Sequence, residues 1–229
     1  MTPLPPPPSE STTPPATSGR TLDYAAGVYD WLSPPMTFWQ EARYARRAQE
    51  ALALRGGEAV LDVGCGTGVL TRRLARALAA SGGGAVGLDA APRMIAVARR
   101  KGAGLPNLRF DVAAAERLPY PDSSFGAAVS TFFFHHINAE LKLLAFNELY
   151  RVMQPGACLA VVDVDVPVNP FGALCGKAGV WLFRQPEIQE NLDGVLRNVM
   201  KQSAFGGWRS AVTRMGYITL FILEKPRHG

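Results

Sequence analysis

Val60-Leu61-Asp62-Val63-Gly64-Cys65-Gly66-Thr67-Gly68 sets the architecture of this chain. An apolar run ends in an acidic residue, and a turn follows with glycine at every second position. Glycine lets a backbone take positive φ and approach a ligand closely. A second apolar run, Ala85-Val86-Gly87-Leu88, ends in Asp89. Strand, tight glycine turn, helix, strand and terminal carboxylate are the parts from which a doubly wound sheet builds a nucleoside pocket. A dinucleotide turn needs glycine at i, i+2 and i+5. Counted from Gly64 or Gly66, the third position is Val69 or Thr71. The spacing argues against a nucleotide-dependent oxidoreductase.

Outward from this turn, strands and helices alternate. Strands are expected near 58–63, 84–89, 107–111, 127–133 and 158–165, and helices near 38–54, 68–80, 91–101 and 139–153. The strands are almost continuously apolar, as when helices cover both sheet faces. Such alternation implies right-handed crossovers and a parallel sheet. Residues 166–185, rich in Pro, Gly and aromatics, read as a loop, and 186–203 as a helix. Trp208–Arg214 and Tyr217–Glu224 read as two strands joined at Met215-Gly216. The expected architecture is an α/β, Rossmann-like doubly wound sheet of seven strands. It is mostly parallel, with an antiparallel terminal hairpin strand and helices on both faces.

Residues 1–20 differ from the rest. They are dominated by Pro, Ser and Thr and offer too little apolar surface to offset chain entropy, so a disordered tail is expected before one domain over 21–229. The start lacks the basic and apolar segments of a signal peptide, and no run of about 18 apolar residues offers a transmembrane span. Three cysteines without paired spacing fit a reducing cytoplasm and argue against a disulfide framework or a zinc site. The net charge is +5. Its clusters (Arg43/Arg46/Arg47, Arg72/Arg73/Arg76, Arg99/Arg100/Lys101) read first as solvated helix faces, second as attraction to an anionic membrane surface. No nucleic-acid motif is present, so a nucleic-acid partner is not expected.

The D-x-G-x-G-x-G turn resembles motif I of the class I S-adenosylmethionine-dependent methyltransferases. Four further segments extend the likeness over about 22–226. Gly87-Leu88-Asp89-Ala90-Ala91-Pro92-Arg93-Met94 is similar to the family's second motif. Leu118-Pro119-Tyr120-Pro121-Asp122-Ser123-Ser124-Phe125 is similar to its "LPF-x-D-x-SFD" segment. Phe134-His135-His136-Ile137 resembles the "HHL" after the fourth strand, and Glu148 to Gly156 resembles "E-x-x-RVLKPGG". In form the chain looks most like the broad quinone and phospholipid methyltransferase-like subgroup. Three departures stand out. Ala113-Ala114-Ala115-Glu116 replaces the usual Gly-Asp-Ala-Glu, removing a carboxylate that would accept from adenine. Gly126 stands where an acid is usual, and Ala157 where a second glycine is usual.

The resemblance implies S-adenosylmethionine as cofactor, held by Tyr29, Asp62, Gly64, Cys65, Gly66, Gly68, Asp89, Ala90, Met94, Ala115, Glu116 and Thr131. Asp89 would accept from both ribose hydroxyls. Asp62 would orient the turn and the methionine amino group. Met94 has two readings, a cover for adenine or a core side chain. Tyr29, in Tyr29-Asp30, would reach the methionyl end or simply pack. His135 and His136 fall at the carboxyl end of the fourth strand, where ligands bind in open α/β sheets. One of them would take a proton from the nucleophile, or both are structural.

Asp163 and Asp165 end the fifth strand, and one is expected to face substrate; Asp165 is the candidate. Trp181 and Phe183, with Phe171 and Leu182, lie in the segment 166–185 expected to cover the substrate. No third metal ligand accompanies the two acids, so no metal is expected. The function implied is methyl transfer to O, N or C of a small, apolar or aromatic acceptor of quinone, lipid or natural-product type, with peripheral membrane contact as a corollary. The competing reading is a catalytically silent S-adenosylmethionine-binding module. Oligomeric state is not legible.

Overall fold

A computed structural model describes residues 4–7 and 41–227. Tyr29, Asp30 and most of the Pro-rich tail lie outside the described residues. The first described helix, α1, spans Glu41–Ala51. It is followed by β1 (Ala59–Val63), α2 (Val69–Leu78), β2 (Gly84–Asp89), α3 (Pro92–Gly102), β3 (Leu108–Val112) and β4 (Phe125–Thr131). Then come α4 (Ala139–Val152), β5 (Met153–Val164), α5 (Pro170–Phe183), α6 (Pro186–Leu192), α7 (Val195–Gln202), β6 (Arg209–Arg214) and β7 (Ile218–Glu224).

The strands form one sheet in the order β3-β2-β1-β4-β5-β7-β6. β1 to β5 are mutually parallel, whereas β7 runs antiparallel to β5 and to β6. Successive residues of each central strand enter opposite cores. Leu61, Ala128, Leu159 and Val161 pack with Phe146 and Leu149 of α4 on one face. Val60, Ala127, Val129, Ala160 and Val162 pack with Tyr44 and Ala48 of α1 and Leu74 of α2 on the other. Burial on both faces explains why these strands read as unbroken apolar runs. The chain order reverses between β1 and β4, so a crevice opens at the carboxyl ends of these two strands.

The structure departs from the sequence reading in two elements. Residues 170–183 are a helix, not a loop. The Asn169 side chain accepts from the Gly172 N–H, and Pro170 occupies the first turn, where its missing N–H costs nothing. Gly172 and Gly176 weaken the helix locally, but they are its packing surface. A Cβ at Gly172 would run into the Gly216 carbonyl, and one at Gly176 would meet Leu192 at 2.7 Å. The expected helix over 186–203 is two helices, α6 and α7, broken at Gly194, whose φ is 88°.

Residues 4–7 touch the domain. Leu4 packs against the core near Gly84, and the Pro5 carbonyl accepts from the Arg109 guanidinium. Among the described residues, no helix is long and apolar enough to cross a membrane.

Candidate active site

The glycine turn is built by backbone conformation first. Gly64, Gly66 and Gly68 have φ of 73°, 52° and 75°, values that an L side chain adopts only at a cost. Gly64 and Cys65 donate to the Leu88 carbonyl at 2.8 and 3.0 Å, which fastens the turn to β2. Gly68 leads into α2 and passes so near the Phe110 ring that a Cβ would collide with it. Gly66 is different, because a Cβ there would meet nothing within 4 Å. The turn therefore presents bare backbone to open space at its middle glycine.

Asp89 closes β2 and braces this turn. Its Oδ2 accepts from Gly66 N–H and its Oδ1 from Ala91 N–H, both at 2.9 Å. Each carboxylate oxygen has a second lone pair that a ribose hydroxyl can use. Asp62 is fully buried. Thr71 Oγ1 donates to its Oδ2 at 2.6 Å, while Oδ1 is buried with no partner among the described residues. Burial pushes the Asp62 carboxyl up to about 7; the Thr71 hydroxyl opposes this and the nearby Asp89 charge adds to it. Burial, followed by the Asp89 and Asp62 charges, raises the Cys65 thiol as well, so it stays a neutral thiol. Met94 is buried on α3, Ala114 and Ala115 are buried, and Glu116 and Thr131 are half-buried at the rim. Asp111 serves the fold, because it accepts from the Arg109 guanidinium at 2.9 Å and from Tyr120 Oη at 2.9 Å.

The second half of the site lies beyond β4. Phe132 takes φ of 55°, a strained value for an aromatic residue and of a kind that clusters at functional sites. This bend lays the Phe133 ring against Gly64, where a Cβ would come within 2.6 Å of it. It also stacks Phe134 on Phe146 with ring centroids 4.4 Å apart. His135 and His136 follow in a single 3₁₀ turn, Phe134–His136. The His135 Nδ1 lies 2.7 Å from Asp163 Oδ1. Asp163 is wholly buried and already accepts from the Phe134 and Val164 N–H groups, both at 2.7 Å. A carboxylate that accepts on both oxygens leaves Nδ1 as the donor, which makes Nε2 the lone-pair nitrogen. The His136 ring sits 4.0 Å from that of His135, and its Nδ1 is 3.4 Å from Gln185 Nε2.

Asp163, not Asp165, therefore joins the site. Asp163 lies in β5 and Asp165 just past its end, where it is held by two bonds from Arg197, at 2.6 and 2.7 Å, and one from Thr219 Oγ1 at 2.6 Å. It clamps α7 to the sheet. Trp181 and Phe183 also depart from their expected place over a substrate. Trp181 is 80% exposed on the outward side of α5, and Phe183 is 36% exposed.

Thr71, bonded to Asp62 nine residues away, and Gln185, set against His136 from 49 residues away, are site neighbours that no motif in the sequence marks, and Asn191 carries no role there. The Asn191 side chain is fully buried on α6, which packs against the 134–136 turn, and neither its Oδ1 nor its Nδ2 has a partner among the described residues. Among the described residues no cluster of three His, Cys, Asp or Glu could hold a metal.

An unpartnered buried acceptor on Asp62, open space at Gly66 and a braced carboxylate at Asp89 fit a nucleoside that carries an amino-acid end. In its sheet order, glycine turn and motif sequence the chain is similar to the class I S-adenosylmethionine-dependent methyltransferases, whose cofactor is such a nucleoside. Residues 60–156 match the family described as "Methyltransferase domain". A demethylmenaquinone methyltransferase of Thermus thermophilus is 39% identical over 147 residues, which cover 63% of this chain and 64% of that protein. One from Tropheryma whipplei is 34% identical over 155 residues, covering 66% of this chain and 62% of that protein. The chain thus spans a little under two thirds of the length of these curated relatives. Among solved structures, a methyltransferase from Aquifex aeolicus superposes with a TM-score of 0.59 at 21% identity, over 90% of this chain and 99% of that one, which supports the fold.

Proposed function

We propose that this chain methylates the ring of an apolar, quinone-like acceptor in its reduced, hydroxyl-bearing form, with S-adenosylmethionine as donor. The observation that carries the proposal is the His135–Asp163 pair, set on the same sheet edge as the cofactor turn. The likeness to demethylmenaquinone methyltransferases supports the choice of acceptor.

When bound, the cofactor supplies a methyl carbon already made electrophilic by its sulfonium. What is left to the protein is to align the acceptor, exclude water and remove a proton. Alignment alone contributes about 7–11 kcal/mol in favourable cases. Gly66 and the Asp89 and Asp62 carboxylates hold the donor. His135, kept in one tautomer by Asp163, accepts the acceptor's hydroxyl proton at Nε2, which raises electron density on the ring; the methyl–sulfur bond would break as the ring carbon takes the methyl group, and that carbon gives up its own hydrogen as a proton when the ring regains aromaticity. A positioned base of this kind contributes roughly 10²–10⁴-fold. The Asn191 amide offers a donor and an acceptor to a ring oxygen. A buried amide without a partner costs about 1–3 kcal/mol, which a ligand oxygen would relieve.

Incubation with methyl-labelled S-adenosylmethionine and reduced quinones of differing ring substitution, followed by mass spectrometry, tests the reading. Label on a ring carbon is the expected result. Cofactor binding without transfer to any acceptor would mark a silent binding module, and transfer to a polar metabolite alone would remove the quinone assignment.

A further inference from the structure

α5 presents to solvent what a soluble helix normally hides. Phe171, Leu174, Trp181 and Leu182 are 56%, 67%, 80% and 64% exposed, and the helix packs inward mainly through Gly172 and Gly176. Fourteen residues at about 1.5 Å each make a rod of roughly 21 Å. Isolated exposed leucines need no explanation, but an apolar row of this length does. Its chemistry has one sign. From residue 166 to 186 there is no acid, while Lys177 and Arg184 are both exposed.

A second feature adjoins it. The turn between β6 and β7 is pressed against the start of α5, where Val168 N–H donates to the Gly216 carbonyl at 2.8 Å. Two residues before that glycine, Arg214 lines a cleft of about 370 Å³ with Arg43, Arg46 and Arg47 of α1. Arg46 is paired with Glu50 at 2.8 Å. The Arg214 Nε is buried without a partner among the described residues. Four guanidinium groups that converge on one cleft, one of them with an unsatisfied buried donor, match phosphate, to which arginine donates in a planar fork.

We propose that α5 and the arginine-lined cleft form one docking surface for an anionic phospholipid bilayer. The aromatic and leucine side chains of α5 enter the acyl boundary in the manner of an interfacial helix, and the cleft takes a lipid phosphate. Apolar area alone would suit a second copy of the chain equally. The excess of cations decides against it: Lys177, Arg184 and the four cleft arginines outnumber Glu50, which pairs with Arg46 and lies 3.9 Å from Arg47, so two such surfaces would bring like charges together. The surface lies at the carboxyl edge of the sheet, on the side where β5 carries Asp163. Docking there goes beyond the proposed methylation by placing the chain where an apolar acceptor is met, but binding to the bilayer requires neither cofactor nor transfer.

The test is flotation of the full chain, without cofactor or acceptor, with vesicles of phosphatidylcholine alone or mixed with phosphatidylglycerol. Binding is expected only to the anionic vesicles and should weaken with added salt. Replacing Trp181 by Ala should lower the partition coefficient about tenfold. Arg43→Gln and Arg47→Gln should each lower it about fivefold, the change expected for one cation near an anionic surface. Because Trp181 is exposed, melting temperature should not change. In vesicles with brominated acyl chains, tryptophan emission should be quenched in the native chain and much less so in Trp181→Phe. Equal binding to both vesicle types, unchanged binding by the variants, or no quenching would overturn the proposal. So would a native dimer, seen by light scattering, that Trp181→Ala dissolves. These outcomes are independent of methyl transfer, so the two proposals fail separately.

Discussion

Asp62 should couple cofactor binding to proton release. Its carboxyl, fully buried beside the glycine turn, has an ordinary value of 3.8 that burial raises to about 7. The free protein therefore holds a proton on Asp62 in mildly acidic solution, where the unfolded chain does not. A raised carboxyl value means that Asp62's contribution to stability declines as pH rises between the two values. A bound methionyl ammonium favours the ionised carboxylate and expels that proton. If only the ionised form binds, affinity at about pH 6 is roughly tenfold weaker than its plateau, or ~1.4 kcal/mol. Above about pH 7 the dependence should flatten.

Calorimetry in buffers of different ionisation enthalpy measures both quantities, with close to one proton released at about pH 6. The Asp62→Asn variant can still accept from Thr71 Oγ1 but cannot titrate. Its affinity should be weak and free of this pH dependence. Without cofactor, its melting temperature should lack the gain on acidification that the native chain shows. A native affinity that is flat between about pH 6 and 7.5, or an Asp62→Asn variant with the native slope, would refute the assignment of the proton to Asp62.

Asp89→Ala should weaken S-adenosylmethionine by about 1.5–3 kcal/mol. Asp111→Ala should instead lower the melting temperature and leave cofactor affinity alone, since Asp111 serves Arg109 and Tyr120. His135→Ala should cut single-turnover methyl transfer roughly 10²–10⁴-fold with the cofactor dissociation constant unchanged; a normal rate would make His135 structural. Asn191→Leu should raise the acceptor KM by about tenfold or more without loss of melting temperature, because it removes an unpartnered buried amide. An unchanged KM would take Asn191 out of the acceptor site. Deleting residues 1–7 should cost about 1 kcal/mol of stability through the lost Pro5–Arg109 bond, and should spare cofactor binding. An unchanged melting temperature would show that Leu4 and Pro5 add nothing.

Much of the cofactor half could be read along the chain because it is local. The turn from Asp62 to Gly68 is one contiguous segment, and its backbone demands glycine wherever φ is positive. Asp89 is legible because a strand end places it there, whatever packs elsewhere. The acceptor half is not contiguous. Asp163 and Asp165 look alike in sequence, two residues apart at the end of β5. They part only because the 134–136 turn delivers His135 to one, while α7 delivers Arg197 to the other, each from about 30 residues away.

α5 makes the same point about secondary structure. Pro170, Gly172, Gly176 and Gly179 read as loop chemistry by local propensity. They form a helix because Gly172 and Gly176 let it approach the Gly216 backbone and Leu192, contacts that no window of sequence contains. Sequence alone determined what is written in backbone conformation and burial period: the order of the strands along the chain, their coverage on both faces and the nucleoside turn. Tertiary structure decided which buried carboxylate meets which partner and which apolar side chains stay outside. Those outcomes depend on segments that only folding brings within hydrogen-bonding or packing distance.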